Sequence, residues 1–264
     1  MTLRLLLGAA IAAIIAIFAR RARSLSTTGA AAAFAIGTIA AAAGMNWAVL
    51  LILYFATSTV LSRVGRVQKE RRTSTVVEKG GERDAVQVLA NGLVFALAAL
   101  GMVAHPDARW LALGAGSLAA SAADTWATEI GTLYGGDPRS ILTGRRLAPG
   151  TSGGVSLAGT AASVAGAAFV ALVAAIGNGA SDARIAHAGA VFLGGVAGSL
   201  VDSVVGAMMQ SRRWCQTCQC ETERMLHDCG SATTPCRGLR WIDNDAVNFL
   251  STLVGGLLAA SILR

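Results

Sequence analysis

The chain has 264 residues, 54% hydrophobic and 14% charged, with 31 glycines and a formal net charge of +7. That balance excludes an ordinary soluble globular domain or a disordered chain and points to a polytopic membrane protein. The basic excess is expected to form a rim facing lipid headgroups and anionic substrates, with no reason to invoke nucleic acid.

Apolar runs of roughly 17 to 25 residues are long enough to cross a hydrocarbon core. Eight occur in chain order, at 3–19, 26–43, 45–61, 86–104, 110–133, 154–176, 185–209 and 246–263. The first has the length of a signal peptide, but Arg20, Arg21 and Arg23 follow it rather than precede it, so a retained helix is expected. Ala, Gly and Ser dominate the runs, which suits close helix contact in lipid. Eight alternating spans place eighteen of the 22 Lys and Arg on one side. Positive loops stay in the cytoplasm, so the long loops are expected inside a cell inner or plasma membrane, with both termini outside. The expected fold is all-α, a polytopic transmembrane helical bundle of about eight spans forming one domain over 1–264. A cytoplasmic Cys/His loop at 210–243 is inserted between the last two spans.

Polar residues gather at the span ends on that side. "EKGGERDAVQVLANG" opens the fourth span: Asp84, Gln87 and Asn91 share a face, while Lys79, beside Gly80 and Gly81, and Arg83 precede it. The fifth span closes in "SAADTWATEIG", where Asp124 aligns with Ser121 and Thr128, and Thr125 with Glu129. Asp124 and Glu129 are about 140° apart around the axis at 3.6 residues per turn, so they share a cavity only if neighbouring helices close around this end or the helix breaks. In "LTGRRLAPGTSGGVSLAGT", Thr151, Ser152, Gly153, Gly154 and Ser156 at the start of the sixth span suit phosphate oxygens, with Arg145 and Arg146 nearby. No Walker A spacing is present. Asp202 lies deep in the seventh run, too short to reach water by snorkelling, and ionisable residues in spans are functional by default. The alternative is a buried Asp bonded to Ser199 or Ser203. "WIDNDAVNFLSTLVGG" places Asn244, Asp245 and Asn248 at the start of the eighth span, with Asp243 or Asn244 as a helix cap. Hard oxygen ligands and few histidines suggest Mg²⁺, held by Asp124, Glu129 and Asp202 together with substrate phosphates.

All five cysteines fall between Cys215 and Cys236. Cys215 and Cys218 form a C-x-x-C pair that His227 and Cys229 complete as a structural zinc site, with Cys220 and Cys236 as alternates. Free thiols and disulfides are the other readings, the latter disfavoured in a reducing compartment.

"KGGERDAVQVLANG", "SAADTWATEIG", "TSGGVSLAGT" and "WIDNDAVNFL" closely resemble the integral-membrane family catalogued as domain of unknown function 92, which includes plant phytyl-phosphate kinase. The resemblance runs from about residue 79 to the end. It implies a kinase that converts an isoprenyl monophosphate to its diphosphate. An acid, spaced glycines and "SGGVSLAG" look like the pattern of CTP-dependent polyprenol kinases and phosphatidate cytidylyltransferases, which implies CTP or another nucleoside triphosphate as donor. The Ser-x-Glu-Gly of the latter is absent, with Leu157-Ala158-Gly159 in its place.

The expected activity is thus a membrane-embedded lipid-phosphate kinase. Asp124, Glu129, Asp202, Lys79 and Arg83 would form its centre, Arg145, Arg146 and residues 151–156 the phosphate contacts, and Asp84, Asn91, Asn244, Asp245 and Asn248 the polar wall. The alternative is a transporter or channel for a lipid phosphate or an ion, since intramembrane acids and Gly-rich helices suit that too. Isoprenoid length and oligomeric state are not readable from the residues.

Overall fold

The structure, a computed structural model, describes residues 2–78, 81–176 and 181–263. Among them, eight long helices follow the expected apolar runs: α1 (Thr2–Arg21), α2 (Thr27–Ala43), α3 (Met45–Arg63), α5 (Ala85–Ala104), α6 (Ala108–Tyr134), α7 (Leu157–Ile176), α8 (Ser181–Met208) and α9 (Asn244–Ile262). A ninth, α4 (Arg66–Thr73), is short and basic. The architecture is the expected all-α polytopic membrane bundle. Five helices, α3, α5, α7, α8 from Ile185, and α9, are long and apolar enough to cross a membrane by length and composition, and α2 is a shorter apolar helix.

Local signals set the helix ends. Asp84 accepts the Gln87 N–H while the Gln87 side chain accepts the Asp84 N–H, a capping box that satisfies two otherwise orphaned donors. Asp243 accepts the Ala246 N–H at the start of α9, so the cap is Asp243 rather than Asn244. Ser26 caps α2 through the Gly29 N–H.

Helix α6 is the centre of the bundle. Its residues from Gly114 to Ala123 are all buried, and α5, α7, α8 and α9 pack around it, while α1, α2 and α3 form a flank joined through α2–α5 and α3–α6 contacts. Lipid gives helices no hydrophobic reason to associate, so close backbone approach has to hold them. A Cβ on Gly198 would lie 2.4 Å from the Ala120 Cβ, one on Gly194 2.3 Å from the Gly255 carbonyl, and one on Gly116 2.5 Å from the Ala259 Cβ. These glycines allow α6, α8 and α9 to meet. On the outside, Leu6, Ile14, Phe18, Leu97 and Leu172 are more than half exposed, as a lipid-facing surface requires.

Contacts between helix ends give the bundle its polarity. Arg63 at the end of α3 donates to Ala22 O and the Ser24 hydroxyl after α1, and the Ser26 N–H donates to the Arg83 carbonyl before α5. Arg72 of α4 donates to Thr132 O at the end of α6. The loops between α3 and α5, α6 and α7, and α8 and α9 therefore share one end, called here the loop end.

Two of these loops contain strands that the apolar pattern does not reveal. β1 (Arg139–Ser140) pairs antiparallel with β2 (Gly154–Val155), which is why α7 begins at Leu157 rather than at residue 154. The Cys-rich loop folds into a three-stranded antiparallel sheet of β3 (Arg212–Cys215), β4 (Cys220–Thr222) and β5 (Thr234–Arg237), in the order β4-β3-β5.

Candidate functional site

A cavity of about 940 Å³ runs through the loop end of the bundle, at the upper end of the range for small-molecule sites. One limb is apolar, walled by Leu7, Ile11 and Ile15 of α1, Ile36 of α2, and Val49, Ile52 and Phe55 of α3. Along α1 it extends from Leu7 to Ala16, about 14 Å at 1.5 Å per residue. The other limb is polar and is lined by the ends of α3, α6 and α8, the starts of α5, α7 and α9, and the loops between them.

Asp124 of α6 and Asp202 of α8 meet in the polar limb, their carboxyls within hydrogen-bonding reach of each other. The Oδ2 of Asp202 is buried without a hydrogen-bond partner, a costly state for a carboxylate oxygen. Beside them Ser163 of α7 and Ser199 of α8 are bonded at 2.9 Å. On the α5 side the Ser121 hydroxyl donates to Asn91 Oδ1 at 2.6 Å, and the Tyr54 hydroxyl of α3 lies 2.6 Å from Ser121 Oγ. This chain ties three helices together one turn from Asp124.

Glu129 lies elsewhere on the α6 surface, as its 140° offset implies. It lines the cavity but is paired with Lys69 of α4, whose ammonium also donates to Leu61 O and Ser62 O. The structure thus brings together two of the three expected acids. Arg83 also lines the cavity and donates to the Ser62 hydroxyl; Lys79 lies outside the described residues.

The glycine-rich loop lies against α8. Gly153 has φ +77°, and a Cβ there would come within 2.3 Å of the Ala207 Cβ, so only glycine fits. Thr151, Ser152, Gly153, Gly154 and Ser156 all line the cavity, yet several of their groups serve the protein itself. The Thr151 and Gly154 amides donate within the loop. The Ser156 hydroxyl accepts the Gly159 N–H at the start of α7, and Ser152 donates to Glu223 at 2.7 Å. Asn244, Asp245 and Asn248 contribute the α9 wall. Arg145 and Arg146, by contrast, are exposed on the β1–β2 loop and do not line the cavity, and Asp84 acts as the α5 cap.

Several cavity residues escape sequence reading. Tyr54, Arg63, Arg66, Lys69, Gln210 and Glu223 all face it. Glu223 follows β4 and accepts from Ser152 and from Gln210 Nε2. Burial pushes its carboxyl up to about 7, opposed by the Ser152 bond and the Arg212 charge. Nothing in the residue pattern marks that the Cys-rich segment folds back to the cavity.

In that segment, Cys215, Cys218, His227 and Cys229 bring one ligand atom each to within 4.8 Å of one another. Among the described residues this is the only group of three or more His, Cys, Asp or Glu gathered so closely.

Comparison with known proteins agrees with this architecture. The chain is 30% identical over 281 residues to Protein PGR of Arabidopsis thaliana, covering 97% of this chain and 95% of that one. It is 29% identical over 262 residues to an uncharacterized membrane protein of Methanocaldococcus jannaschii, covering 98% and 94%. To Protein VTE6, chloroplastic, of Arabidopsis thaliana it is 27% identical over 240 residues, covering 89% and 64%. No solved structure matches. The family described as integral membrane protein DUF92 matches residues 10–256, and the chain belongs to it.

Proposed function

We propose that the chain is a lipid-phosphate kinase embedded in the membrane, converting an isoprenyl monophosphate of the phytyl type to the diphosphate with a nucleoside triphosphate and Mg²⁺. The observation that carries this reading is the division of the cavity. A long apolar limb leads to a polar limb holding an acid pair and the cations Arg63, Arg66, Lys69 and Arg83. A lipid tail with a phosphate head has the same division, and the resemblance of the four cavity-lining motifs implies the same substrate class.

The donor set fits Mg²⁺: Asp124 and Asp202 offer hard oxygens, one of them buried and unpartnered. A divalent ion held there would neutralise phosphate charge and orient the phosphate chain. Glu129 instead fixes Lys69 on the cavity wall.

The chemistry asks little proton transfer of the protein. A phosphomonoester with a second pKa of about 6 is largely dianionic at neutral pH, so its oxygen attacks the terminal phosphorus of the nucleotide directly. The new P–O bond forms as the bond to the leaving nucleoside diphosphate breaks, and no base is required. Positioning and charge stabilisation then dominate, as in other phosphoryl transfers. Arg63, Arg66 and Arg83 supply charge, the chain from Tyr54 through Ser121 to Asn91 keeps α3, α5 and α6 in register, and the 151–154 loop approaches the phosphates closely. The excess of basic residues at the loop end supports a cytoplasmic position for that end, on the side of the nucleotide pool.

The test is reconstitution of the purified protein in liposomes with phytyl or geranylgeranyl monophosphate, Mg²⁺ and each of ATP, CTP, GTP and UTP in turn. Isoprenyl diphosphate should form with at least one nucleotide. Passage of the lipid phosphate across the bilayer without nucleotide consumption, and no diphosphate, would replace this reading with that of a transporter.

A further inference from the structure

The Cys-rich loop has a stability problem of its own. Its buried residues are Gln210, Arg212, Cys215, Thr222, His227, Thr233 and Ile242, a set with almost no apolar core. A segment this small and polar does not hold a three-stranded sheet by hydrophobic burial and needs a staple.

The loop's geometry supplies one. Cys215 ends β3 and is fully buried. The chain then turns tightly, with the Gln219 N–H donating to Cys215 O, and the Cys218 N–H points at Cys215 Sγ at 3.4 Å. A second turn presents His227 and Cys229, closed by Gly230 N–H to His227 O and His227 N–H to Ser231 O. The Cys229 Sγ lies 3.6 Å from that of Cys215 and 3.3 Å from His227 Nδ1. Two turns thus offer two ligands each, three cysteine sulfurs and one imidazole with their ligand atoms within 4.8 Å of one another. That donor set selects zinc over the hard cation suited to the carboxylate pair. Cys220 Sγ contacts the other ring nitrogen of His227 at 3.6 Å, and Cys236 stands outside the group.

The stapled sheet is fixed to the cavity. The Glu223 N–H donates to Val76 O, and Arg224 donates to Ser74 O in the segment after α4. The Glu223 carboxylate holds Ser152 and Gln210, and Arg212 donates to Ser152 O at 2.6 Å. We propose that Cys215, Cys218, His227 and Cys229 bind a structural zinc ion, and that the zinc-closed loop is the strut that holds the 151–154 loop in place through Glu223 and Arg212. Glu223 is a positioning residue, acting on the cavity through Ser152.

The test uses the full chain in detergent or nanodiscs. Elemental analysis should find about one zinc per chain, the stoichiometry of one four-ligand structural site. Cys218→Ser and Cys229→Ser should each lose most of it, while Cys236→Ser keeps it. Should the serine variants fail to fold, metal stripped from the unmodified protein with a chelator and replaced by Co²⁺ should produce the visible bands of tetrahedral thiolate coordination. Amide exchange at 150–154 should rise on stripping and fall again on adding zinc. Glu223→Ala should raise exchange there with zinc content unchanged. Absence of zinc together with no uptake on titration under reducing conditions, iron in its place, or equal loss of metal in Cys236→Ser would overturn the site. Unchanged exchange at 150–154 after stripping would overturn the strut. None of these readouts depends on the kinase reading.

Discussion

Lys69 offers a demanding test of the packing because all three ammonium hydrogens are used. They reach Leu61 O at 2.8 Å, Ser62 O at 3.1 Å and the Glu129 carboxylate, and the lysine is only 7% exposed. Lys69→Met keeps the stem and removes the charge, leaving Glu129 unpaired with a side chain 19% exposed. Removing one partner of a buried pair costs 3–5 kcal/mol, and the cavity beside Glu129 lets water reach it, so the lower figure of about 3 kcal/mol applies. Two carbonyls at the end of α3 lose their donor at about 0.5 kcal/mol each, near a solvated end. The expected loss is therefore about 4 kcal/mol, and the double variant Lys69→Met/Glu129→Gln should regain about 2–3 kcal/mol because the lone charge is gone. The assay is reversible unfolding in mixed micelles of rising dodecyl sulfate content, followed by fluorescence of the five tryptophans. A single variant as stable as the parent, or a double variant no better than the single, would refute the reasoning.

Gly198→Leu should disrupt the α6–α8–α9 contact, since even a Cβ would stand 2.4 Å from the Ala120 Cβ and 2.8 Å from Ser251 O. A loss of about 3 kcal/mol or more is expected at this overpacked site, visible as a collapse of the monodisperse fraction in size-exclusion chromatography. Glu223 sets a pH dependence: burial raises its carboxyl from 4.5 to about 7 against the Arg212 charge, with Glu78 and Asp243 adding to the rise. The fold therefore favours the protonated form, and stability should fall as pH rises between about 4.5 and 7 and stay level above it, by at most about 3 kcal/mol at 1.36 per unit. Melting temperatures from pH 4.5 to 8 should show this slope in the parent and a flatter profile in Glu223→Gln; identical slopes would remove Glu223 as its source.

The bundle was legible because the signal for a membrane helix is long and simple. The runs ending at Ala43 and Ala104 stop where α2 and α5 stop. Helix α4 was not legible: "RVQKERRT" has a single apolar residue, Val67, and is held in place by Lys69 reaching two other helices, a tertiary cause that no local pattern records. The meeting of Asp124 with Asp202 likewise depends on how α6 and α8 face each other; the 140° offset of Glu129 was readable from helical geometry, but its pairing with Lys69 of α4, which takes it out of the expected acid group, was not. Tyr54 sits in an apolar run with nothing nearby in sequence to mark it, since its partner Ser121 is 67 residues away. The clustering of Cys215, Cys218, His227 and Cys229 was readable because their short spacings carry the geometry, but the strands between them are too short to leave a periodic trace.

The account stands most directly on Asp124 and Asp202 serving one phosphate-binding centre, and the decisive measurement is diphosphate formation by Asp124→Asn, Asp202→Asn and the double variant across a Mg²⁺ titration, each first shown to be folded. Each single variant should lose at least about 100-fold in rate, and the double variant should be little worse than either, because residues that act as a unit are not additive. Full turnover by either folded single variant, or losses that simply multiply in the double variant, would contradict it.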